Sequence, residues 1–441
     1  MIGIFANHFY IIFCELQICK FTLPLGPSHF PIYHAWMNTR PEVRFLDRTT
    51  PPHIFTLIAI TGFSAMAMNM FLPSLPRLTE YFHTDYRIMQ LSVAVFLAAN
   101  GLMQLFIGPL SDRYGRRRVL LWGFALFSLS SIGCLMAPSV EVFLAFRMAQ
   151  ATVAVAMVMS RAIVRDMVPQ AEAASMIGYI TMFMAIVPMI SPAIGGYMDD
   201  MFGWKSIFWF FAISGIGAFA LIWIDLGETN TNQSTSFRQQ VADYPELLLS
   251  QRFWGYCLAA AFASGAFFAY IGGAPFVGAV VFSLSPTELG LHIGAPALGY
   301  MFGNFVSGRF SVRFGANKMV LWGTLISTFG IAVSLTLFEL GFGSVNTFFG
   351  FMIFVGFGNG MLLPNATSGM LSVRPHLAGT ASGLGGAIMI GGGAAMSALA
   401  GTKLVPGSGP FPLLWMMLIV ALLAVLSIFW VIWRERQTGI A

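Results

Sequence analysis

The sequence is poor in charge. Only 9% of its 441 residues are Asp, Glu, Lys or Arg, whereas 57% are hydrophobic, and the mean hydropathy is +0.76. A soluble domain carries about 25% charge, so a water-soluble protein is excluded and most of the chain must lie in lipid. Cysteine is scarce as well. Cys14, Cys19, Cys134 and Cys257 have no metal-ligand spacing, and two of them fall in apolar runs, which argues against a disulfide framework. There is no G-x-x-x-x-G-K-[ST], so ATP hydrolysis by this chain is not the energy source. No H-E-x-x-H and no paired Cys/His spacing calls for a metal. No cofactor motif and no nucleophile–base signature is readable, which argues against an enzyme. No Asp or Glu falls in the middle of any apolar run.

What is present is a series of apolar runs, each of the length of about 20 residues that a spanning helix needs. The spans predicted are 54–72, 89–110, 119–137, 142–164, 173–196, 206–226, 254–276, 288–309, 319–338, 345–371, 377–401 and 411–433. They predict an all-α membrane protein of twelve helices. An N-terminal segment 1–53 is followed by a six-helix bundle 54–226, a polar linker 227–253, a second bundle 254–433 and a tail 434–441. The linker is rich in Ser, Thr and Asn and ends in an amphipathic stretch, 237–249. The prolines at 73, 76, 138, 286, 406 and 412 are read as loop breaks, where a missing N–H costs nothing. Residues 2–13 are apolar but too short to span, and no cleavage site follows. Met37 opens a more ordinary polar lead, M-N-T-R-P-E-V-R, and translation is expected to begin there, leaving 1–36 untranslated.

One short basic loop occurs twice. G-P-L-S-D-R-Y-G-R-R-R at 108–118 aligns with G-R-F-S-V-R-F-G-A-N-K at 308–318, and Leu121, Trp122 and Gly123 align with Leu321, Trp322 and Gly323. Two similar membrane halves are implied. Charge orients them. With the N-terminus inside, only Arg77, Arg87, Lys205 and Lys403 fall outside, and Arg147 lies within a span. The rest of the 23 Lys and Arg are then cytoplasmic, as the positive-inside rule requires, and both termini are too.

The loop at 108–118 resembles the signature between helices 2 and 3 of the major facilitator superfamily, and 308–318 its degenerate second copy. F-R-M-A-Q-A (146–151) is similar to the helix-4 arginine motif, and S-P-A-I-G-G (191–196) to the helix-5 motif of drug/proton antiporters. N-M-F-L-P-S-L-P (69–76), S-R-A-I-V-R-D (160–166), A-P-F-V (274–277) and A-G-T-A-S-G-L (378–384) resemble the Bcr/CflA group of drug efflux pumps. The likeness covers about 50–436. It implies a monomeric transporter of the bacterial inner membrane, exporting drugs or other lipophilic or amphipathic small molecules by alternating access in exchange for protons. Its partners would be substrate, protons and lipid, with no nucleic acid. Three positions depart from the pattern: Asn69 stands where this group often has Asp, Ala151 where a Gly follows the helix-4 Gln, and Ser191 where a Gly precedes the helix-5 Pro.

Candidate roles follow. Arg147 lies about seven residues into its helix, roughly 8–10 Å deep at 1.5 Å per residue. A charge at the centre of a span costs about 2.5–3.5 kcal/mol, so it must face a cavity or a partner. It is the first candidate for coupling or substrate binding, with Asn69, Gln150, Asn100, Tyr270 and Asn304 beside it. The bland alternatives are snorkelling or backbone hydrogen bonds for Arg147, helix–helix bonding for the amides, and packing for Tyr270, Phe267 and Phe268. Gly108, Asp112, Arg113, Gly115 and Arg116, joined by Arg165 and Asp166, are the candidate gating group, in which Asp112 pairs with an arginine or a helix N-terminus. Plain charge anchoring is the simpler reading of Arg116, Arg117 and Arg118. Pro188, Pro192, Gly195 and Gly196 are the candidate packing and hinge positions of helix 5. A facilitator or metabolite exporter without proton coupling, for instance of nucleosides, stays open, as does a non-transporting membrane sensor.

Overall fold

The computed structural model describes residues 43–168, 170–230, 244–374, 377–405 and 407–438. The untranslated-segment reading of 1–36 lies outside them. Helix α1 (Ile54–Asn69) runs through a 3-10 turn, Leu72–Ser74, into α2 (Leu75–Tyr81). Then come α3 (Tyr86–Tyr114), α4 (Arg116–Leu135), α5 (Val140–Ala149), a 3-10 turn at Gln150–Ala154, α6 (Val155–Met167), α7 (Gln170–Phe202) and α8 (Lys205–Asp225). The second half holds α9 (Tyr244–Leu248), α10 (Gln251–Phe276) with a π turn at Val277–Val281, α11 (Pro286–Ile293) and α12 (Ala295–Phe314). It ends with α13 (Ala316–Glu339), α14 (Val345–Phe349), α15 (Met352–Val373), α16 (Ala378–Lys403) and α17 (Phe411–Thr438).

Ten of the described helical stretches are long and apolar enough to cross a membrane. The fifth and eighth places of the expected twelve are taken by α7, 33 residues long, and by α11 with α12. Polar Asn304, Ser307, Arg309, Ser311 and Arg313 dilute the apolarity of α12. The architecture is that of twelve membrane-crossing helices.

Several spans differ from the sequence expectation. The first does not end at 72: Pro73 lies in the 3-10 turn, and Pro76 stands in the first turn of α2, where its missing N–H has no intrahelical acceptor to lose. Pro286 likewise opens α11 behind the N-cap Ser285, which forms a full capping box with Glu288. Pro412 lies in the first turn of α17. The predicted helix 288–309 is interrupted at Gly294. The fourth span tightens to 3-10 geometry directly after Arg147. Of the amphipathic stretch 237–249, Tyr244–Leu248 is helical, and 237–243 lies outside the described residues.

The two halves meet along two seams. Helix α3 packs on α16, and α7 packs on α11 and α12. Within the first half α4 lies on α8 and α1 on α7; within the second, α10 lies on α16 and α17, and α15 on α12 and α13. Phe63, Phe127, Phe208 and Phe211 interlock edge-to-face in the first core, with Phe124 tilted against Phe63. Two junctions, α3–α4 and α12–α13, lie on one face of the bundle, because an even number of crossings separates them. At both junctions a single glycine turns the chain, Gly115 at φ +94° and Gly315 at φ +83°, a region that side-chain-bearing residues rarely adopt. The repeat seen in sequence is thus the same turn made twice.

Candidate functional site

On the face carrying Gly115, the basic loop is a closed polar network. Arg116 pairs with Asp112 at 2.6 Å and with Asp166, at the end of α6, at 3.2 Å, and it also donates to Ser111. Its backbone N–H, the first orphan donor of α4, donates to Glu228 at 2.7 Å. That carboxylate lies against Gly115, where any Cβ would overlap it. Thr229 donates to Asp166 at 3.2 Å and Asn230 to the Asp112 carbonyl at 3.3 Å. Arg117 donates to the Trp223 carbonyl at 2.9 Å, and its guanidinium lies 4.8 Å from that indole's centroid. Arg116 and Arg117 thus make specific bonds, beyond what charge anchoring alone requires. The arginine that Asp112 takes is Arg116, across the Gly115 turn. Arg113 is exposed, its guanidinium over Tyr114, and Arg165 is exposed beside Asp166. A Cβ at Gly108 would meet open space; its carbonyl accepts from Ser111 at 2.7 Å.

The second copy is held differently. Asn317, in the place of Arg117, donates to Glu435 on α17. Glu435 also accepts from Arg252 at 2.7 Å and from Tyr256 at 3.1 Å, and Tyr256 donates to Asn317 at 2.6 Å. Both loops are tied to the last helix of their own half, by a cation on an indole in one and by a buried carboxylate in the other.

Arg147 is wholly buried. It donates to Gln150 at 2.6 Å and to the Ala67 carbonyl of α1 at 2.9 Å. Gln150 passes the chain on to Ser131 of α4 at 2.7 Å. The guanidinium is clasped between Phe71 and Phe96, 3.9 and 4.3 Å from their centroids, an arrangement that desolvated rings favour by about 2 kcal/mol. Its described partners are neutral. The backbone-carbonyl reading thus describes its bonding, and four elements of the first half converge on one charge.

The other candidates do not gather around it. Asn69 is buried and bonds back to Ala65 at 2.8 Å, and Gln104 donates to Asn100 on α3 at 3.0 Å. Asn304 bonds to Tyr300 one turn back at 2.8 Å. Tyr270 is fully buried against Phe348 and Phe349, with its hydroxyl donating to Ile293 at 3.3 Å, so it ties α10 to α11 rather than lining a pocket. Pro188 and Pro192 lie inside α7, which continues through both. A Cβ at Gly195 would overlap the Met70 carbonyl of α1, and one at Gly196 the Pro286 carbonyl of α11. These two neighbours pack one on each half.

Besides Glu228 and Glu435, sequence reading missed Asp225, Asp199 and Asp200. Asp225 is buried and accepts from the Leu46 N–H at 2.6 Å and the His53 N–H at 3.1 Å, holding the segment before α1. Asp199 and Asp200, at the far end of α7, bind Arg77 at 3.1 and 2.8 Å. Arg77 was a visible signal, as one of the few cations against the positive-inside pattern.

Two pseudo-symmetric six-helix halves, joined by a linker and meeting along paired helices, define a membrane transporter fold. The chain belongs to the Major Facilitator Superfamily, whose family model matches residues 57–285 and 267–439. It is 31% identical over 346 residues to a chloramphenicol resistance protein of Pseudomonas aeruginosa, covering 76% of this chain and 81% of that one. It is 27% identical over 370 residues to a bicyclomycin resistance protein homolog of Haemophilus influenzae, covering 82% and 92%. The partially occluded inward-open xylose transporter XylE of E. coli shares the fold, with a TM-score of 0.66 at 15% identity over 85% of this chain and 96% of that one. The protein is a multi-pass membrane transporter.

Proposed function

We propose that the protein is a secondary exporter of the bacterial inner membrane, moving drugs or similar lipophilic and amphipathic small molecules outward by alternating access in exchange for protons. The face bearing Gly115 is cytoplasmic on this reading, as are both termini. The observation that carries it is the way the halves join. Hydrogen bonds between them lie at the other, outer face: Tyr86 to Gly272 at 3.0 Å, Gln90 to Ser397 at 2.6 Å, and Thr287 to Asp200. Two bundles whose polar ties gather at one face are suited to rocking about a central site. The drug-resistance names of the relatives support the substrate class. Arg147 is the proposed coupling residue, because a buried cation whose partners among the described residues are neutral senses any charge or proton that enters nearby. Asn69, in the place of a common Asp, carries no proton itself, and its amide suits a neutral substrate group.

The test is accumulation of a fluorescent lipophilic dye in cells making the protein. Accumulation is expected to be low, and to rise severalfold with an uncoupler or with Arg147→Ala. Vector-level accumulation, with the protein confirmed in the membrane, contradicts broad drug export. Low accumulation that ignores the uncoupler favours the facilitator.

A further inference from the structure

We propose that Asp200 is the latch of the outer face: it holds the two halves together there by joining Arg77 of the first half to the N-terminus of α11 in the second. The inference rests on the alternating-access reading above.

One carboxylate makes both contacts. Asp200 Oδ1 accepts from Arg77 at 2.8 Å. Asp200 Oδ2 accepts from the Thr287 N–H at 2.9 Å and from its hydroxyl at 2.5 Å. Thr287 is the second residue of α11, so its N–H is one of the orphan donors at a helix start, where negative charge is favoured. The neighbouring acid fixes the lever. Arg77 donates to both the carbonyl and the Oδ1 of Asp199, at 2.9 and 3.1 Å, which locks the guanidinium in the orientation that reaches Asp200.

The surroundings give the latch its geometry. Beside it, Gly196 meets the Pro286 carbonyl and Gly290 the Pro192 carbonyl, so the backbones of α7 and α11 touch with no side chain between them. Across the same face, the Gln90 amide fills a slot between Gly272 and Gly401. These close contacts set the position of closure, but small apolar surfaces release readily in lipid. The polar bonds to Asp200 add directional holding, and water replaces them when the face opens, since Asp200 and Arg77 are partly exposed. A contact both directional and replaceable suits a transporter that must leave this state on every cycle.

The experiment uses spin labels at Met136→Cys and Phe342→Cys, exposed outer positions of the two halves (77% and 69%), with the native cysteines replaced, and measures their distance distribution in nanodiscs. Asp200→Asn is expected to raise the ratio of long to short distances about tenfold, the size of one lost charge-assisted hydrogen bond. Thr287→Val should act in the same direction, and serves alone if Asp200→Asn does not purify as a monodisperse protein. Gly196→Trp, which cannot fit against Pro286, is the reference for forced opening. If Gly196→Trp opens the face and both Asp200→Asn and Thr287→Val leave it closed, the latch is wrong and alternating access stands. If none of the three opens it, alternating access fails and the latch with it.

Discussion

Arg147 and Gly115 both resist substitution, for opposite reasons. Arg147 is held by chemistry: two ring faces, an amide and a carbonyl replace the water it gave up. A lysine has neither the plane to lie between Phe71 and Phe96 nor the fork to reach both oxygens. Gly115 is held by geometry, by its positive φ together with the Glu228 carboxylate against its Cα. Gly115→Ala should therefore destabilise the protein by about 1–3 kcal/mol, seen as a Tm several degrees lower in detergent. Gly108→Ala, with empty space around the added methyl, should leave Tm unchanged or slightly raised, because glycine inside a helix costs roughly 0.5–1 kcal/mol against alanine. Equal losses for the two would contradict this assignment. The glycines of the loop motif read alike in sequence, and only the fold separates a turn residue from a helical one.

At the scale of elements, the linker begins as part of the first half. Glu228, Thr229 and Asn230 bind Arg116, Asp166 and the Asp112 carbonyl in succession. Glu228→Gln removes an anion from the start of α4, worth about 0.3–1 kcal/mol at low salt for an exposed group. The expected Tm difference from wild type shrinks in 0.5 M salt, where screening falls to a few Å; a difference independent of salt contradicts the electrostatic origin. Element positions were largely legible in the sequence, because apolar runs of spanning length leave little choice of structure in lipid. The Gly294 break and the 3-10 turn after Arg147 were not, since hydropathy carries no information on backbone geometry inside an apolar run. The candidate site was legible only in part. Arg147 and Gln150 did come together, three residues apart in one span. Tyr270 and Asn304 did not join them, because nothing in a Phe-rich sequence separates lining side chains from packed ones. Glu228 and Asp200 went unseen because their partners lie 112 and 87 residues away.

For the whole molecule, the twofold repeat is a shared plan with unequal fittings. Val312 replaces Asp112, Asn317 replaces Arg117, and Glu435 supplies in the second half the anchor that Trp223 supplies in the first. One half can then be switched without an identical event in the other. On the proposed alternating-access reading, Asp200, Gln90 and Tyr86 close the outer face, and opening it exchanges those bonds for water. Export against a gradient further requires that protons move the other way, and no acid lies at mid-span to make this obvious from the sequence. The most direct test is made on the purified protein in proteoliposomes, with a lipophilic fluorescent substrate and an imposed pH gradient. The account predicts substrate movement towards the acidic compartment that collapses with an uncoupler and is lost in Arg147→Ala. Movement at the same rate with and without the gradient would contradict proton-coupled export and make the protein a facilitator.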